Sequence, residues 1–548
     1  MKRFINRNFT MVSNMENSTV SKNEARGNSL DLFLGNGPWQ RLIFLASFIC
    51  FIPFTYHNLA MTFIAPNVDH WCSRPPDVNI TIDEWKLTAL PKEDTKCSRY
   101  KFVHTLNSTI TYANFTTGRR NITSHTIVSC ESWEYDHSVY SSSIVNKWDL
   151  VCDQAWLVSL SKSIFMIGYL CSVTITGGLA DKYGRKPVIV VCGVIAFFSS
   201  VICAFSTSFL MFAALRLLIA VGTSGVFNTV FVLLMEVVSP AHRPLYGLSI
   251  NFGWCLGFVS LPLIAWLLRD WFWIQIFITI PTAFLLGTYW FFPESPRWLI
   301  AKGKYEEAKV ILIKAGKMNG MEKVELETKI KEIITDKGND EKENQRGNLL
   351  DLIKTPGLRG KTINLFYLWC VIAFMYYGLS YNTNEQEGDP FLNFAASGAI
   401  EFPANFISIF IIKSFGRRTP LSMFLILGAV ACFLMYPIPT EPWWLPVVVS
   451  MTGKFCLSCA FGIIYVYTAE LFPTVVRNVG MGSASVSARI GSILSPFVRE
   501  LGYATHPAVP QVIYGILATI GGLLVLLLPE TNNCHVPDTL EEAAKFSK

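Results

Sequence analysis

Residues 177–186 read GGLADKYGRK and recur in altered form as IFIIKSFGRR at residues 409–418, which is 232 residues further along the chain. Two more landmarks recur in the same order, at offsets of 234 and 236 residues: Glu236, Pro240 and Arg243 against Glu470, Pro473 and Arg477, and Pro293-Glu294-Ser295 against Pro529-Glu530-Thr531. Such steady offsets indicate two halves with matching helix counts and loop lengths. In an apolar chain, this repeat is typical of transporters built from two related bundles.

The composition indicates a membrane protein. Charged residues make up 16% of the chain, against roughly 25% in soluble domains, and the mean hydropathy is +0.36. Crossing a bilayer core of about 30 Å takes about 20 apolar residues, and twelve stretches come close to that length. The predicted spans are residues 42–65, 155–180, 187–205, 209–235, 245–268, 271–292, 361–382, 390–412, 420–437, 443–469, 478–499 and 508–528. We therefore expect an all-α membrane protein whose twelve transmembrane helices form two six-helix bundles.

The basic residues of the short loops predict the orientation. Most of them fall on one side of the predicted spans: Lys182, Arg185, Lys186, Arg243, Arg297, Arg417, Arg418 and Arg477. Lys and Arg favour the cytoplasmic side, so the side that carries these residues is expected to be cytoplasmic. Because twelve spans are an even number, both termini are expected on that side too. The expected location is the plasma membrane. The expected parts are a tail 1–41, a bundle 42–292 with an outer loop 67–152, a linker 293–360, a bundle 361–528 and a tail 529–548. The net charge of +6 is thus explained by topology, and no nucleic-acid partner is expected.

The outer loop 67–152 carries residues typical of an oxidising, exposed environment. Four cysteines predict two disulfides with three possible connectivities: Cys72, Cys97, Cys130 and Cys152. Four glycosylation sequons begin at Asn79, Asn107, Asn114 and Asn121. Free thiols and unmodified asparagines are the alternative. Cys456 and Cys459, in contrast, fall inside a predicted span, and we interpret them as packing residues.

The repeated G-x-x-x-D-[RK]-x-G-R-[RK] pattern predicts a tight turn between consecutive helices. Gly177 permits close helix approach, Gly184 permits the turn, and Asp181 can pair with basic groups of the facing half or of neighbouring helix ends. Such pairs could hold one face of the transporter shut, with topology anchoring as the alternative. The expected gating residues are Asp181, Arg185, Lys186, Glu236, Arg243, Lys454, Glu470, Arg477, Arg417 and Arg418. The second copy of the pattern has Lys413 in place of the acid.

The linker is expected to be partly helical. Residues 304–335 alternate Lys and Glu around apolar positions, which predicts short amphipathic helices beside the membrane, and residues 336–348 have the composition of a disordered segment.

Several motifs together give the chain a family resemblance. They are residues 177–186, PESPRWL at 293–299, YTAELFPT at 467–474 and WDLVC at 148–152, with the large first loop. In this combination they resemble the organic cation, organic anion and carnitine transporter family of the major facilitator superfamily, over about residues 39–540. The resemblance implies the major facilitator fold and secondary transport by alternating access.

Two charged residues are expected at mid-membrane. Arg489 lies near the middle of span 478–499, and Glu401 lies at a similar depth in span 390–412. A charge at the bilayer centre costs roughly 2.5 to 3.5 kcal/mol on insertion scales, so both are candidates for substrate binding. The alternative is a structural salt bridge, either between the two residues or with Lys454.

The resemblance narrows the expected substrate. SARIGS at 487–492 matches the anion and carnitine branches, whereas Asn405 stands where the anion branch commonly has Lys. A carboxylate on Arg489 and an ammonium near Glu401 suit a small zwitterion such as carnitine, or an organic cation. An organic anion exchanger is the second candidate, and a membrane receptor that transports nothing is the rival from another class.

Aromatic and polar residues are expected to complete the pocket. They are Tyr376, Tyr377, Tyr381, Trp254, Asn228 and Asn405. A quaternary ammonium over such rings gains roughly 0.5 to 2 kcal/mol, and core packing or lipid exposure is the alternative for each ring. We interpret His57 and Lys162 as hydrogen-bonded or snorkelling residues.

Enzyme motifs do not occur in the sequence. It contains no Walker loop, no H-E-x-x-H or comparable metal cluster, and no convincing nucleophile and base pair. The expected partners are a small organic ion, the lipid bilayer and a coupling ion, either sodium or a proton, and no cofactor or metal is expected.

Overall fold

The computed structural model describes residues 35–74, 81–91, 94–100, 127–239, 242–321, 349–383, 386, 388–438, 442, 444–473, 475–506, 508–532 and 540–545. Asn79, Asn107, Asn114 and Asn121, together with the segment 336–348, lie outside these residues.

Long helices build the first half of the chain. In order, the helices are α1 Pro38–Leu59, α2 Met61–Ile64, α3 Ile82–Ala89, α4 Ile144–Lys147, α5 Trp156–Tyr183, α6 Arg185–Ala204, α7 Phe209–Val237, α8 Arg243–Ser249, α9 Asn251–Leu268, α10 Trp271–Thr282 and α11 Thr288–Phe291. The predicted span 271–292 is confirmed as one membrane segment, Trp271–Phe291, and two helices build it. Pro281 has no N–H to donate, and a 3-10 turn at Ala283–Gly287 separates α10 from α11.

Helices also build the linker and the second half of the chain. Their helices are α12 Pro296–Ala301, α13 Tyr305–Met318, α14 Leu349–Lys354, α15 Leu358–Tyr381, α16 Pro390–Phe415, α17 Arg418–Leu434, α18 Trp444–Leu471, α19 Arg477–Ala504, α20 Val509–Val525 and α21 Leu540–Lys545. The amphipathic α13 buries Ala308, Leu312 and Ala315 against the first half, beside α1 and α12.

Nine described segments are long and apolar enough to cross a membrane, and α17 and α20 are shorter apolar helices. The remaining predicted span, 478–499, is α19, whose 28 residues include three arginines and many small polar residues. Its polarity is explained by its position, because α19 packs against α5 of the other half. The second contact between the halves joins α9 to α16.

Glycine makes the tight turns that the repeated pattern predicts. Gly184 separates α5 from α6 with φ of 108°, and Gly416 separates α16 from α17 with φ of 82°. Residues with a Cβ rarely adopt this conformation. Gly177 does not take the predicted close contact, because a Cβ placed there would meet nothing within 4 Å.

The loop after α2 forms a small domain at one end of the bundle. β1 His70–Cys72 pairs with β4 Trp133–Tyr135, and β2 Ser98–Tyr100 pairs with β3 Ile127–Ser129, both antiparallel. Disulfides join Cys72 to Cys130 and Cys97 to Cys152, with Cα–Cα distances of 5.5 and 5.6 Å. We call this end the cysteine-loop end, and the opposite end, where α5 meets α6 and α16 meets α17, the basic end.

Candidate functional site

A buried ion pair lies at the centre of the second half. The Nζ of Lys454, on α18, lies 3.2 Å from Oε1 of Glu401, on α16, and both side chains are 3% exposed. Lys454 also lies 3.3 Å from the centre of the Tyr376 ring and donates to Oγ of Ser380. Tyr376 in turn donates its hydroxyl hydrogen to Glu401. The sequence left a salt bridge to Lys454 as the alternative for Glu401, and the structure contains that bridge.

Arg489 has no such partner. It is 3% exposed on α19, its Nη1 donates to the hydroxyl of Tyr377 at 3.3 Å, and its guanidinium lies 3.9 Å from the ring centre of Tyr169. Its Nε has no hydrogen-bond partner, and in the described part of the chain no carboxylate forms an ion pair with it. A buried guanidinium without a carboxylate is costly, and pairing with an anion would offset that cost.

Two adjacent tyrosines connect the charged groups. Tyr376 contacts Glu401, Tyr377 contacts Arg489, and their rings are 5.4 Å apart in an edge-on arrangement. The centre therefore holds two cations and one carboxylate, with a net charge of +1. Its electrostatics favour a ligand that brings a negative charge.

Both halves contribute to the aromatic wall. Trp254 of α9 donates to the hydroxyl of Tyr376 at 3.0 Å, and its ring lies 5.7 Å from Phe54. Tyr381 is 4% exposed and donates to the carbonyl of Asn58 on α1 at 3.4 Å. Lipid exposure, one alternative for these tyrosines, does not occur, because all three predicted tyrosines of α15 are buried.

The two predicted asparagines differ in their hydrogen bonds. Asn405 donates to the carbonyl of Glu401 at 2.9 Å and to Sγ of Cys255 at 3.5 Å, so it lies where α16 meets α9. Asn228 of α7 is half-buried, and its amide nitrogen is buried without a hydrogen-bond partner among the described residues.

Sequence reasoning missed Tyr169 and Phe461. Tyr169 lies under the Arg489 guanidinium, and the ring of Phe461 lies 5.4 Å from that of Tyr376. A helical period in α5 could have indicated Tyr169, because Lys162, Phe165 and Tyr169 recur at spacings of three and four residues and are all buried.

Contacts between the halves extend from the centre to the cysteine-loop end. Ser163 of α5 donates to the carbonyl of Ile493 at 2.6 Å, and Ser159 donates to Glu500 at 2.7 Å. Phe63 stacks on Phe391 at 5.6 Å in the same region. At this end the two halves are thus packed together.

Most of the predicted gating charges lie at the basic end, in matched sets within each half, whereas Lys454 belongs to the central pair with Glu401. In the first half, Arg185 lies 2.7 Å from Glu236 and 2.9 Å from Asp181. Glu294 accepts hydrogen bonds from the backbone N–H groups of Arg185 and Lys186, at 2.8 and 3.1 Å, and so caps the start of α6. A carboxylate is favourable there because it faces the positive end of the helix dipole.

The second half repeats this arrangement. Arg417 lies 2.8 Å from Glu470, and Glu530 accepts from the backbone N–H groups of Arg417 and Arg418, at 2.9 and 3.0 Å. The remaining two arginines bond to carbonyls near them in sequence: Arg243 to Met235 at 3.0 Å and Arg477 to Phe472 at 3.3 Å. The doubled sequence is thus a doubled ionic cluster, and the ion pairs and caps described here each join residues of the same half.

Comparison with known proteins agrees with this architecture. The family described as "Sugar (and other) transporter" matches residues 104–542. An organic cation transporter protein of Drosophila melanogaster is 36% identical over 524 residues, which cover 93% of each chain. The chain belongs to the major facilitator superfamily, among the organic cation and carnitine transporters.

Other relatives give the same result. Organic cation/carnitine transporter 2 of Mus musculus is 35% identical over 529 residues, covering 93% of this chain and 92% of the relative. The partially occluded inward-open structure of the xylose transporter XylE from E. coli has a TM-score of 0.60 at 15% identity. It covers 90% of this chain and 98% of the xylose transporter, and this likeness shows the fold alone. Members of this family are transporters and not enzymes, and they work by alternating access.

Proposed function

We propose that this transporter carries small zwitterions, in which a carboxylate and a quaternary ammonium are joined as in carnitine, across the plasma membrane. The observation that carries the proposal is the state of Arg489, a buried guanidinium without a carboxylate partner in the described part of the chain. The names of the relatives, which include organic cation/carnitine transporters, support the same substrate class.

The ammonium group would bind near Glu401, among the rings of Trp254, Tyr376 and Tyr377. Lys454 already occupies one face of Tyr376, so a substrate cation would compete with Lys454 for Glu401. Such competition couples binding to a rearrangement of the buried pair, because only one cation can hold the carboxylate closely. A sodium ion or a proton is the proposed coupling ion.

An organic anion is the second candidate substrate, and the net charge of +1 at the centre favours it. The two candidates differ in whether Glu401 contributes to binding. For an anion, Glu401→Gln should leave the KM of uptake unchanged or lower it, whereas for a zwitterion the KM should rise.

Uptake by expressing cells tests the proposal. Carnitine, tetraethylammonium and a dicarboxylate would be compared in wild type, Arg489→Gln and Arg489→Lys. A charge-assisted hydrogen bond contributes about 1.5 to 3 kcal/mol, so Arg489→Gln should raise the KM for carnitine roughly 10- to 150-fold. Lys has no planar fork and should restore binding only in part. Arg499→Gln, at the exposed end of the same helix, is the matched control.

Equal losses for all three compounds in Arg489→Gln, with normal surface delivery, would contradict a role in reading the carboxylate. Replacing external sodium by potassium, and separately varying external pH, identifies the coupling ion. An N-terminal epitope that antibodies reach only after permeabilisation would agree with cytoplasmic termini, and a glycosidase-sensitive mass would agree with an extracellular loop.

A further inference from the structure

Arg216 is a second buried cation that the central site does not use. It lies on α7, is fully buried, and its Nη2 donates to the carbonyl of His57 at 2.7 Å. Its guanidinium lies 4.5 Å from the ring centre of Phe165 on α5. Nε and Nη1 are buried and have no hydrogen-bond partner among the described residues. Each buried donor left unpaired costs about 1 to 3 kcal/mol, and more when it is charged.

Lys162 brings a second positive charge to the same region. It is one turn before Phe165 on α5, it is 3% exposed, and its Nζ lies 5.2 Å from the ring centre of Tyr381. The side chain is therefore buried in the bundle and does not snorkel to the surface. Lys162 belongs to α5, and the Arg216 guanidinium packs on Phe165 of the same helix. Both cations therefore lie at one stretch of α5, near the cysteine-loop end.

Neutral polar groups complete the surroundings. Tyr381 donates to the backbone carbonyl of Asn58, while both polar atoms of the Asn58 side chain are buried without a partner in the described residues. The residue next to Asn58 is His57, whose carbonyl receives Arg216. Unpaired donors from an arginine and an amide, with an ammonium close by, are the groups that hold a small anion in proteins.

We propose that Arg216 and Lys162, with Asn58, form a second binding site for a small monovalent anion, either chloride or the carboxylate of a substrate. An anion supplies what Arg216 lacks, because it accepts hydrogen bonds from Nε and Nη1 and balances a charge that would otherwise be buried alone. The site lies closer to the cysteine-loop end than the central site does.

The two anion sites are linked through α15. Tyr381 and Tyr377 are one turn apart, their ring centres are 5.9 Å apart, and Tyr377 contacts Arg489. The chloride reading of the new site does not depend on the substrate proposed above, because the contacts of Arg216 are with His57 and Phe165, away from the central site. It would act as a stabilising anion site, or as a station for the carboxylate before it reaches Arg489.

Thermal unfolding of the purified full-length protein in lipid nanodiscs tests the site. Sodium chloride would be compared with sodium gluconate at equal ionic strength, because gluconate is too large for a closed site. Wild type should melt at a higher temperature in chloride. That difference should vanish in Arg216→Met, fall clearly in Lys162→Met, and persist in Arg499→Gln.

Two additional measurements decide the outcome. Acetate that reproduces the chloride effect and competes with it would identify a carboxylate site, whereas an effect of chloride and bromide alone would identify a halide site. Bromide located beside Arg216 by anomalous scattering gives the position even if Arg216→Met fails to fold. Equal melting in chloride, acetate and gluconate would overturn the proposal, and so would a chloride effect that Lys162→Met leaves intact.

Discussion

Neutralising Glu401 alone is expected to destabilise the protein, because Lys454 would remain buried as an unpaired cation. Both side chains are 3% exposed, and their charged atoms are 3.2 Å apart. Removing one partner of a buried pair costs about 3 to 5 kcal/mol, whereas replacing both by neutral groups of similar size is close to neutral. Glu401→Gln keeps an oxygen for Tyr376 and should lie near 3 kcal/mol. Lys454→Met should lie near 5 kcal/mol, since a carboxylate would be left without a cation.

The double variant is the informative measurement. Glu401→Gln with Lys454→Met should recover most of the stability lost in either single variant. For domains of 150 to 250 residues, about the size of each half, 1 kcal/mol shifts the melting temperature by roughly 2 to 4 °C. Thermal melts of purified protein should thus show losses of roughly 6 to 20 °C for the single variants. A double variant whose loss equals the sum of the single losses would refute the reasoning, because uncoupled residues add.

Three more predictions concern the loop and the basic end. Burial alone would raise the pKa of Glu134, but hydrogen bonds from Arg74 and a neighbouring indole lower it below its ordinary value of 4.5. The stabilisation is therefore present above pH 4.5 and lost as pH falls through the lowered value, so Glu134→Gln should speed proteolysis of the loop at pH 7, by a factor that shrinks steadily as the pH is lowered below 4.5. Asp181→Asn should leave the melting temperature unchanged, because this carboxylate is 69% exposed and its pair with Arg185 contributes under about 1 kcal/mol. It should still slow transport and shift the labelling of cysteine probes at the basic end; unchanged rates and labelling would contradict a gating role. A Cβ on Gly178 would meet nothing within 4 Å, so Gly178→Trp should fold and bind substrate. If the basic end must close over that position during the cycle, the variant should fail to transport. Normal transport would exclude such closure.

The fold was largely predictable from the sequence. Bilayer thickness fixes helix length, and the repeated pattern fixes where consecutive helices turn, as Gly184 and Gly416 demonstrate. The cysteine pairing was not predictable, because four cysteines allow three connectivities and the sequence does not say which of them lie close together in the folded loop. The 3-10 turn between α10 and α11 was not predicted, because a hydropathy window averages over a proline and detects only the span as a whole.

The site was predictable in its charges but not in their pairing. Depth along a helix follows from sequence position, so Arg489 and Glu401 were placed at mid-membrane. The rotation of each helix about its own axis decides which side chains face each other. A membrane span that is apolar on all sides gives no sequence signal for that rotation. That rotation pairs Glu401 with Lys454 and places Tyr169, from the other half, under Arg489.

The caps that Glu294 and Glu530 place on α6 and α17 each come from the same half as the helix they cap. A change in one cluster needs no matching change in the other, so the two copies could diverge independently after an ancestral duplication. Lys413 at the position of Asp181 is one such divergence.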